Sequence, residues 1–352
     1  GAFRLVVHVV YRRSLVRAQI GIGIHNSGIA LDVGGIRHPV EVGSGVDARR
    51  VAGEPVVARP PSRLYEFQKT VRRHKFGFAA VTALILVLAT PVLAMTLILL
   101  TVERVAGIGI FDPALGGDPL LFQHLFWFYS HPAVYIMILP GMAIISEIIP
   151  VFSRKPIFGY GYVAASTVAI GVLSFAVWAH HMFVAGLSLY AALIFSWLSF
   201  LVAVPSAIKV FNWTATLHKG AIAFDAPMLY SLGFIGLFTV GGLTGLYLAC
   251  LGLDVHVHDT YFVVGHFHAT LFGGFLMPVM AGIYYWFPKV TGRMLSESLG
   301  RQQWLAMTLG SAGLIIPLMG LGILGQRRRV ADYALTAGFQ PMHIITAIAA
   351  LL

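Results

Sequence analysis

The sequence predicts an all-α protein, a polytopic bundle of membrane-spanning helices. Composition is the first observation behind this prediction, because 58% of the 352 residues are hydrophobic, only 11% are charged, and the mean hydropathy is +0.82. A soluble domain is about half apolar and about a quarter charged. The second observation is a series of long apolar segments after residue 75, and the third is a set of histidines inside three of those segments.

Residues 1–75 differ from the rest of the chain, so we expect two regions, 1–75 and 76–352. The first region holds 13 of the 24 Lys and Arg residues, and it has no apolar run of the about 20 residues that a membrane helix needs. Its sequence leads to no structural assignment. It shows neither a basic helix nor aromatic residues between basic ones, so no nucleic-acid partner is expected.

Eight apolar segments follow. The single cysteine, Cys250, excludes an internal disulfide and a covalently attached haem. The final segment is too short to cross a bilayer within this chain. The predicted segments are 77–101, 120–151, 161–188, 190–212, 225–251, 260–286, 302–324 and 339–352.

The charges between these segments predict the orientation, since positive loops face the cytoplasm. Basic loops lie on one predicted face, and acidic residues lie on the opposite, outer face. Arg327, Arg328 and Arg329 are the exception, because they fall on the outer face. The basic residues of the cytoplasmic loops are Arg154, Lys155, Lys219, Lys289, Arg293 and Arg301, and the acidic residues opposite are Asp112, Asp118, Asp254 and Asp259.

Histidines inside apolar segments are the strongest functional signal. A polar side chain in hydrocarbon is costly and usually functional, and imidazole is a common ligand of copper and iron. At about 1.5 Å per residue, the histidines of the second, third and sixth segments lie roughly 16, 8–12 and 9–12 Å from the outer face. A single one is equally well explained as a buried, hydrogen-bonded side chain, but the shared depth favours several metal centres. These histidines are His131, His180, His181, His266 and His268.

Four further residues are candidates by position. Tyr135 follows His131 by four residues and shares its helix face, although a tyrosine at the membrane interface is the alternative. Lys209 lies deep in the fourth segment with Ser206 one turn back, and a snorkelling lysine is the alternative. Asp259 is explained equally well as a helix cap or as a ligand.

Long ordered motifs extend from about Phe76 to the end, and on them the chain resembles subunit I of the haem–copper oxidases. The resemblance implies the later part of a twelve-helix membrane core. The motifs include Gln123-His124-Leu125-Phe126-Trp127-Phe128, Arg154-Lys155-Pro156-Ile157-Phe158-Gly159-Tyr160, Trp178-Ala179-His180-His181-Met182, Lys209-Val210-Phe211 and His258-Asp259-Thr260-Tyr261.

The resemblance also implies cofactors and their ligands. His131, His180 and His181 are expected to bind copper. His266 is the expected axial ligand of a high-spin haem, and His268 that of a low-spin haem whose second ligand is expected from a helix missing from this chain. Trp127 is expected to contribute to the cofactor pocket, Arg328 and Arg329 to bind haem propionates, and His258 with Asp259 to bind magnesium.

Proton transfer is the other implied role. In the family, the tyrosine at position 135 is bonded to the ring of the copper-binding histidine, and Lys209 with Ser206 lies on a proton route to it. The usual glutamate two residues after His131 is Ala133 here. Tyr129 and Ser130 resemble the Tyr-Ser variant of the family, in which these hydroxyls take over that role.

The resemblance implies a respiratory oxidase that reduces dioxygen to water and translocates protons. The expected partners are oxidase subunit II, the other oxidase subunits, membrane lipid, and cytochrome c or a quinol as donor, in a bacterial cell (inner) membrane. A nitric oxide reductase and a histidine-lined transporter without redox cofactors are the alternatives. Residues 1–75 are expected to be a mis-translated stretch, and a lineage-specific extension is the alternative. The chain is expected to be incomplete and therefore inactive alone.

Overall fold

The computed structural model describes residues 3–11, 14–25, 28–33, 36–39, 75–334 and 338–352. The chain divides into two compact units, Gly1–Glu66 and Phe67–Leu352. The predicted boundary after residue 75 stays a prediction, because residues 40–74 lie outside the described part. The mis-translated stretch and its alternative, an extension, likewise stay predictions.

The first unit contains a four-stranded antiparallel sheet for which the sequence led to no assignment. The strands β1 (Phe3–Tyr11), β2 (Ser14–His25), β3 (Gly28–Val33) and β4 (Ile36–Pro39) pair in chain order. The register runs through Tyr11 opposite Ser14, His25 opposite Gly28 and Val33 opposite Ile36. Runs rich in Val and Ile that are separated by two residues are typical of hairpins, and this signal was overlooked.

The regular elements in the described part of the second unit are all helices, apart from one isolated β-bridge between Thr260 and Arg327, which confirms the predicted all-α membrane bundle for this unit. Six stretches are long and apolar enough to cross a membrane: Ala79–Ala106, Pro119–Ser153, Leu189–Leu217, Ala226–Ala249, Tyr261–Thr291 and Glu297–Ile323. The helices are α1 (Lys75–Ala106), α2 (Pro119–Ser153), α3 (Tyr160–Leu173), α4 (Leu189–Leu217), α5 (Ala226–Ala249), α6 (Leu251–Val257), α7 (Tyr261–Leu271), α8 (Met277–Thr291), α9 (Glu297–Ile323) and α10 (Gln340–Ala349).

The third apolar segment is not the continuous span that the sequence predicts. Helix α3 ends at Leu173, and a separate 3₁₀ turn follows over Trp178–Met182. Trp178 explains the break, because its indole Nε1 donates to His124 Nδ1 at 3.2 Å and its ring packs 4.8 Å from that of Phe195. These contacts with α2 and α4 hold the chain in a tighter turn than a continued helix allows.

Helix α2 lies at the centre of the core and packs against α1, α4, α5 and α8. Its buried face carries the side chains that join these helices. Since the candidate residue His131 belongs to this helix, the core fixes its position. The fully buried core residues include Leu139, Ile145, Ile148, Ile149, Ile170, Trp213, Tyr230, Phe234, Met277 and Ala281.

A π turn over Phe272–Leu276 separates α7 from α8. It lies where the backbone presses against α5, since a Cβ on Gly273 would lie 2.6 Å from Leu237 Cβ and 2.8 Å from the Phe238 nitrogen. Single π turns inside helices are frequent at functional sites. This turn follows His266 and His268 directly along the chain.

We expect Gly273→Ala to destabilise the bundle by about 1–3 kcal/mol, because the added methyl group overpacks a backbone contact. Thermal unfolding of the purified protein in detergent measures the effect. Gly242→Ala is the matched control, since its Cβ meets nothing within 4 Å. Equal unfolding temperatures for the two variants would contradict the close packing of the π turn.

Candidate metal centre

Three imidazoles converge beside the core. His131 projects from α2, and His180 and His181 come from the 3₁₀ turn. One ligand nitrogen of each lies within 4.8 Å of the other two, and His131 Nδ1 lies 3.2 Å from His181 Nε2. Nitrogens that share an ion about 2.0–2.1 Å away lie within roughly 4 Å of one another. The cluster therefore fits one metal ion after a small ring movement.

The geometry of the adjacent pair differs from the prediction. On an α-helix, His180 and His181 would point about 100° apart. In the 3₁₀ turn, successive residues are about 120° apart, because each turn contains about three residues. The two ring centroids are 4.4 Å apart, so both rings still face the same space.

Contacts behind the rings orient the imidazoles. Ser199 Oγ lies 2.9 Å from His180 Nδ1 and donates to the Phe195 carbonyl at 2.6 Å. A hydroxyl has one proton, so Ser199 accepts from Nδ1–H and leaves His180 Nε2 as the ligand atom. The indole of Trp127 stacks on His181 with ring centroids 3.8 Å apart and planes at 9°.

Tyr135 lies next to the cluster, as its spacing from His131 predicts. The two ring centroids are 5.1 Å apart at 64°. His131 is 5% exposed, and its Nε2 is buried without a hydrogen-bond partner in the described structure. Since Nδ1 faces the other imidazoles, Nε2 is the ring atom left for another chemical partner.

His266 and His268 both have their Nδ1 atoms occupied. His268 Nδ1 lies 2.8 Å from the Val264 carbonyl, which can only accept. His266 Nδ1 lies 3.1 Å from Thr244 Oγ1, which itself donates within α5. Each ring therefore presents Nε2 as a possible axial ligand. A Cβ on Gly245 would lie 3.0 Å from His266 Cε1, so α5 passes close to this ring.

The exceptional arginines follow α9 and lie beside Asp259, next to the start of α7. Arg329 Nη1 lies 3.4 Å and Arg328 Nε 4.0 Å from Asp259 Oδ1. The Arg328 guanidinium lies 5.6 Å from the ring centre of Phe267. In the sequence, Phe267 stands between the two candidate haem ligands His266 and His268. The helix-cap alternative for Asp259 is wrong, because Thr260 Oγ1 caps α7 by accepting from the Phe262 nitrogen.

Asp254 and His258 form a buried pair near this end. The carboxylate Oδ2 lies 2.5 Å from His258 Nδ1, and Asp254 is 2% exposed. Burial raises the pKa of the Asp254 carboxyl. Burial alone would lower the pKa of His258, but the hydrogen bond and the charge of Asp254 raise it overall. Asp254 was expected in an outer loop, and its spacing of four residues from His258 was the overlooked signal.

Lys209 is completely buried, which excludes the snorkelling alternative. Ser206, one turn outward, is half-buried and donates to the Val202 carbonyl at 2.9 Å. One turn inward from the lysine, Trp213 Nε1 donates to Ser146 Oγ at 3.0 Å. Tyr129 and Ser130 are half-buried on α2, and neither side chain hydrogen-bonds to another described residue.

Several partners of the candidate residues carry no signal in the sequence. Ser199 and Thr244 look like ordinary hydroxyls within apolar helices, and only the packing of α4 and α5 brings them to the histidines. Thr167, which contacts Lys209, is equally inconspicuous.

Known proteins resemble most of the chain. The family profile described as Cytochrome C and Quinol oxidase polypeptide I matches residues 68–352. The chain is 49% identical to cytochrome c oxidase subunit 1 of Synechocystis sp. over 269 residues, which are 76% of this chain and 48% of the relative. It is 46% identical to cytochrome c oxidase subunit 1 of Thermostichus vulcanus, with the same two coverages.

A third relative is the probable cytochrome c oxidase subunit 1-beta of Nocardia farcinica, 48% identical over 77% of this chain and 46% of the relative. The chain thus spans about half the length of the curated relatives it matches. A heme-copper terminal oxidase dimer solved by cryo-EM is similar with a TM-score of 0.56 and 21% identity, covering 77% of this chain and 54% of that chain. This similarity supports the fold.

We expect Ser199→Ala to weaken metal binding at the three-imidazole cluster by about 10–100-fold, because His180 loses the partner that orients it. Elemental analysis of the purified membrane protein after dialysis against a graded chelator measures the retained metal. Thr214→Ala is the matched control, since that exposed hydroxyl on the same helix bonds the Val210 carbonyl. Equal metal retention in both variants would refute the orienting role of Ser199.

Proposed function

The chain belongs to the cytochrome c and quinol oxidase polypeptide I family, and we propose that it acts in a terminal respiratory oxidase that reduces dioxygen to water. Four electrons and four protons convert one dioxygen to two waters, and further protons are translocated. The observation that carries this proposal is the convergence of His131, His180 and His181 beside Tyr135 in the helical core.

We propose that this cluster holds one copper ion, since neutral imidazoles suit copper. His266 would hold the high-spin haem and His268 the low-spin haem. Their occupied Nδ1 atoms leave the Nε2 atoms for these roles. When bound, these groups would pass the donor's electrons to dioxygen. We assign the low-spin haem no second axial ligand among the described residues.

The residues of this chain would then hold and transfer the protons that the reaction consumes. Tyr135 holds a proton at its phenol oxygen next to His131, and the free Nε2 of His131 fits the bond to this tyrosine that the family implies. Lys209 carries protons from the cytoplasmic half toward Tyr135, with Ser206 on the way. Tyr129 and Ser130 take over proton relay near His131 in place of the glutamate that is Ala133 here.

The positions of Arg328 and Arg329 fit the binding of haem propionates better than they fit the alternative of a solvated loop. Guanidinium groups bind carboxylates bidentately. The Arg328 guanidinium lies near the ring of Phe267, the residue between His266 and His268 in the sequence. The predicted magnesium site fits less well. Asp259 is paired with two guanidiniums and His258 with Asp254, whereas magnesium prefers several oxygen ligands. We derive no step from magnesium.

We propose reduced cytochrome c as the donor, because the relatives are described as cytochrome c oxidase subunits, with a quinol as the second candidate. Electrons would arrive through a second subunit and pass the low-spin haem. The chain would therefore work with subunit II and further subunits in a bacterial cell membrane.

An optical spectrum of the assembled, purified oxidase tests this proposal first. Bands of two haems are expected, with one copper per complex by elemental analysis. Absence of haem bands would instead support a histidine-lined transporter. Oxygen uptake with reduced cytochrome c and with a quinol, measured side by side, identifies the donor. Uptake of nitric oxide without uptake of oxygen would support the reductase, which Tyr135 and Lys209 argue against.

We expect Tyr135→Phe to reduce oxygen consumption by about 10²–10⁴-fold, because the phenol proton is removed from beside the cluster. Haem bands and copper content should stay unchanged. Tyr230→Phe is the matched control, since this buried tyrosine lies in the same core with its hydroxyl 3.8 Å from Met307 Sδ. Full activity of Tyr135→Phe would disprove the proposed role of the phenol.

A further inference from the structure

The ammonium of Lys209 is held by two oxygens of α3. Its Nζ lies 2.5 Å from Thr167 Oγ1 and 3.0 Å from the Val163 carbonyl. Lys209 is 0% and Thr167 2% exposed, so these contacts are inside the bundle. We call Thr167 Oγ1 and the Val163 carbonyl the lysine seat.

The seat accepts hydrogen bonds and does not donate them to the lysine. Thr167 Oγ1 also lies 2.9 Å from the Val163 carbonyl, which can only accept. The single hydroxyl proton is therefore used within α3, and Oγ1 turns its lone pairs toward Nζ. A neutral amine could also donate to these two acceptors, but hydrogen bonds from a charged donor are roughly twice as strong, so the seat favours the protonated form of the lysine.

The seat lies in the inner half of the bundle, far from Tyr135. Thr167 is seven residues from the start of α3, which is about 10 Å. Ser146 is seven residues from the inner end of α2, again about 10 Å, whereas Tyr135 is 18 residues from that end, about 27 Å. The Lys209 ammonium also lies 5.9 Å from the ring centre of Trp213, one turn inward.

We propose that Thr167 is a positioning residue that holds protonated Lys209 in an inward-facing position, from which the ammonium must leave to carry its proton toward Tyr135. The lysine seat determines where Lys209 takes up its proton. It also favours the protonated amine until the ammonium moves toward Tyr135. The expected effect on the rate of proton uptake rests on the proposed oxidase function. The expected position of the Lys209 side chain does not.

The chain offers a matched control within the same turn. Ser166 is 3% exposed, and its hydroxyl also lies 2.9 Å from the Val163 carbonyl. Removing this hydroxyl deletes a buried bond to the same carbonyl without deleting the oxygen that contacts Lys209. Thr167→Val removes the contacting oxygen at nearly constant volume, and Thr167→Ser restores it.

The experiment compares Thr167→Val, Thr167→Ser and Ser166→Ala in the fully assembled oxidase. Cryo-EM maps should show Lys209 seated in the wild type and in Ser166→Ala, and displaced in Thr167→Val. Proton uptake that accompanies reduction of the metal centre should slow about tenfold or more in Thr167→Val, the effect of one lost hydrogen bond to a charged group. The fall of the uptake rate at alkaline pH should begin about one pH unit lower in Thr167→Val than in the wild type, because the Lys209 ammonium has lost an acceptor.

Thr167→Ser should restore both the rate and the pH profile, and Ser166→Ala should match the wild type. An unchanged pH profile in Thr167→Val, an equal loss in Ser166→Ala, or a wild-type map with Lys209 away from Thr167 would each overturn the proposal. If no variant, including the wild type, consumes oxygen, the proposed function fails. The maps alone then decide whether the seat exists.

Discussion

The hydrogen bonds behind the histidine rings are the interaction on which the rest of this site depends. Imidazole can present either nitrogen to a metal, so a cluster of imidazoles becomes a defined site only when one nitrogen of each ring is occupied. Ser199, Thr244 and the Val264 carbonyl occupy the Nδ1 atoms of three different histidines. Val264 belongs to the same helix as His268, but Ser199 and Thr244 come from the neighbouring helices α4 and α5, so packing of the bundle orients His180 and His266.

The same packing explains why polar groups are tolerated in an apolar core. Lys209 is fully buried, yet it meets a hydroxyl and a carbonyl of α3. Asp254 is buried but bonded to His258. A polar group without a partner is costly in hydrocarbon, so each of these pairs stabilises the fold in which it can form. His131 Nε2 is one of the buried exceptions among the described residues.

Much of this organisation could be predicted from residues alone. Apolar length predicts the six spans, and the shared depth of the histidines predicts metal centres. That His131, His180 and His181 meet at one ion is implied by the family resemblance. The broken third segment could not be predicted, because the contacts of Trp178 with His124 and Phe195 outweigh local helix preference. The π turn after α7 depends on close contact between Gly273 and α5, which is equally invisible in the sequence. The β-sheet of residues 3–39 was overlooked, although its Val-rich runs carried a signal.

X-ray absorption at the copper edge of the assembled protein tests the central claim most directly. We predict a copper ion bound by three imidazole nitrogens at roughly 2.0–2.1 Å, the usual distance between a transition metal and histidine. Replacing His131 should reduce the number of these nitrogens. Absence of copper, or a copper ion whose scattering shows no imidazole, would contradict the convergence of His131, His180 and His181 on one metal.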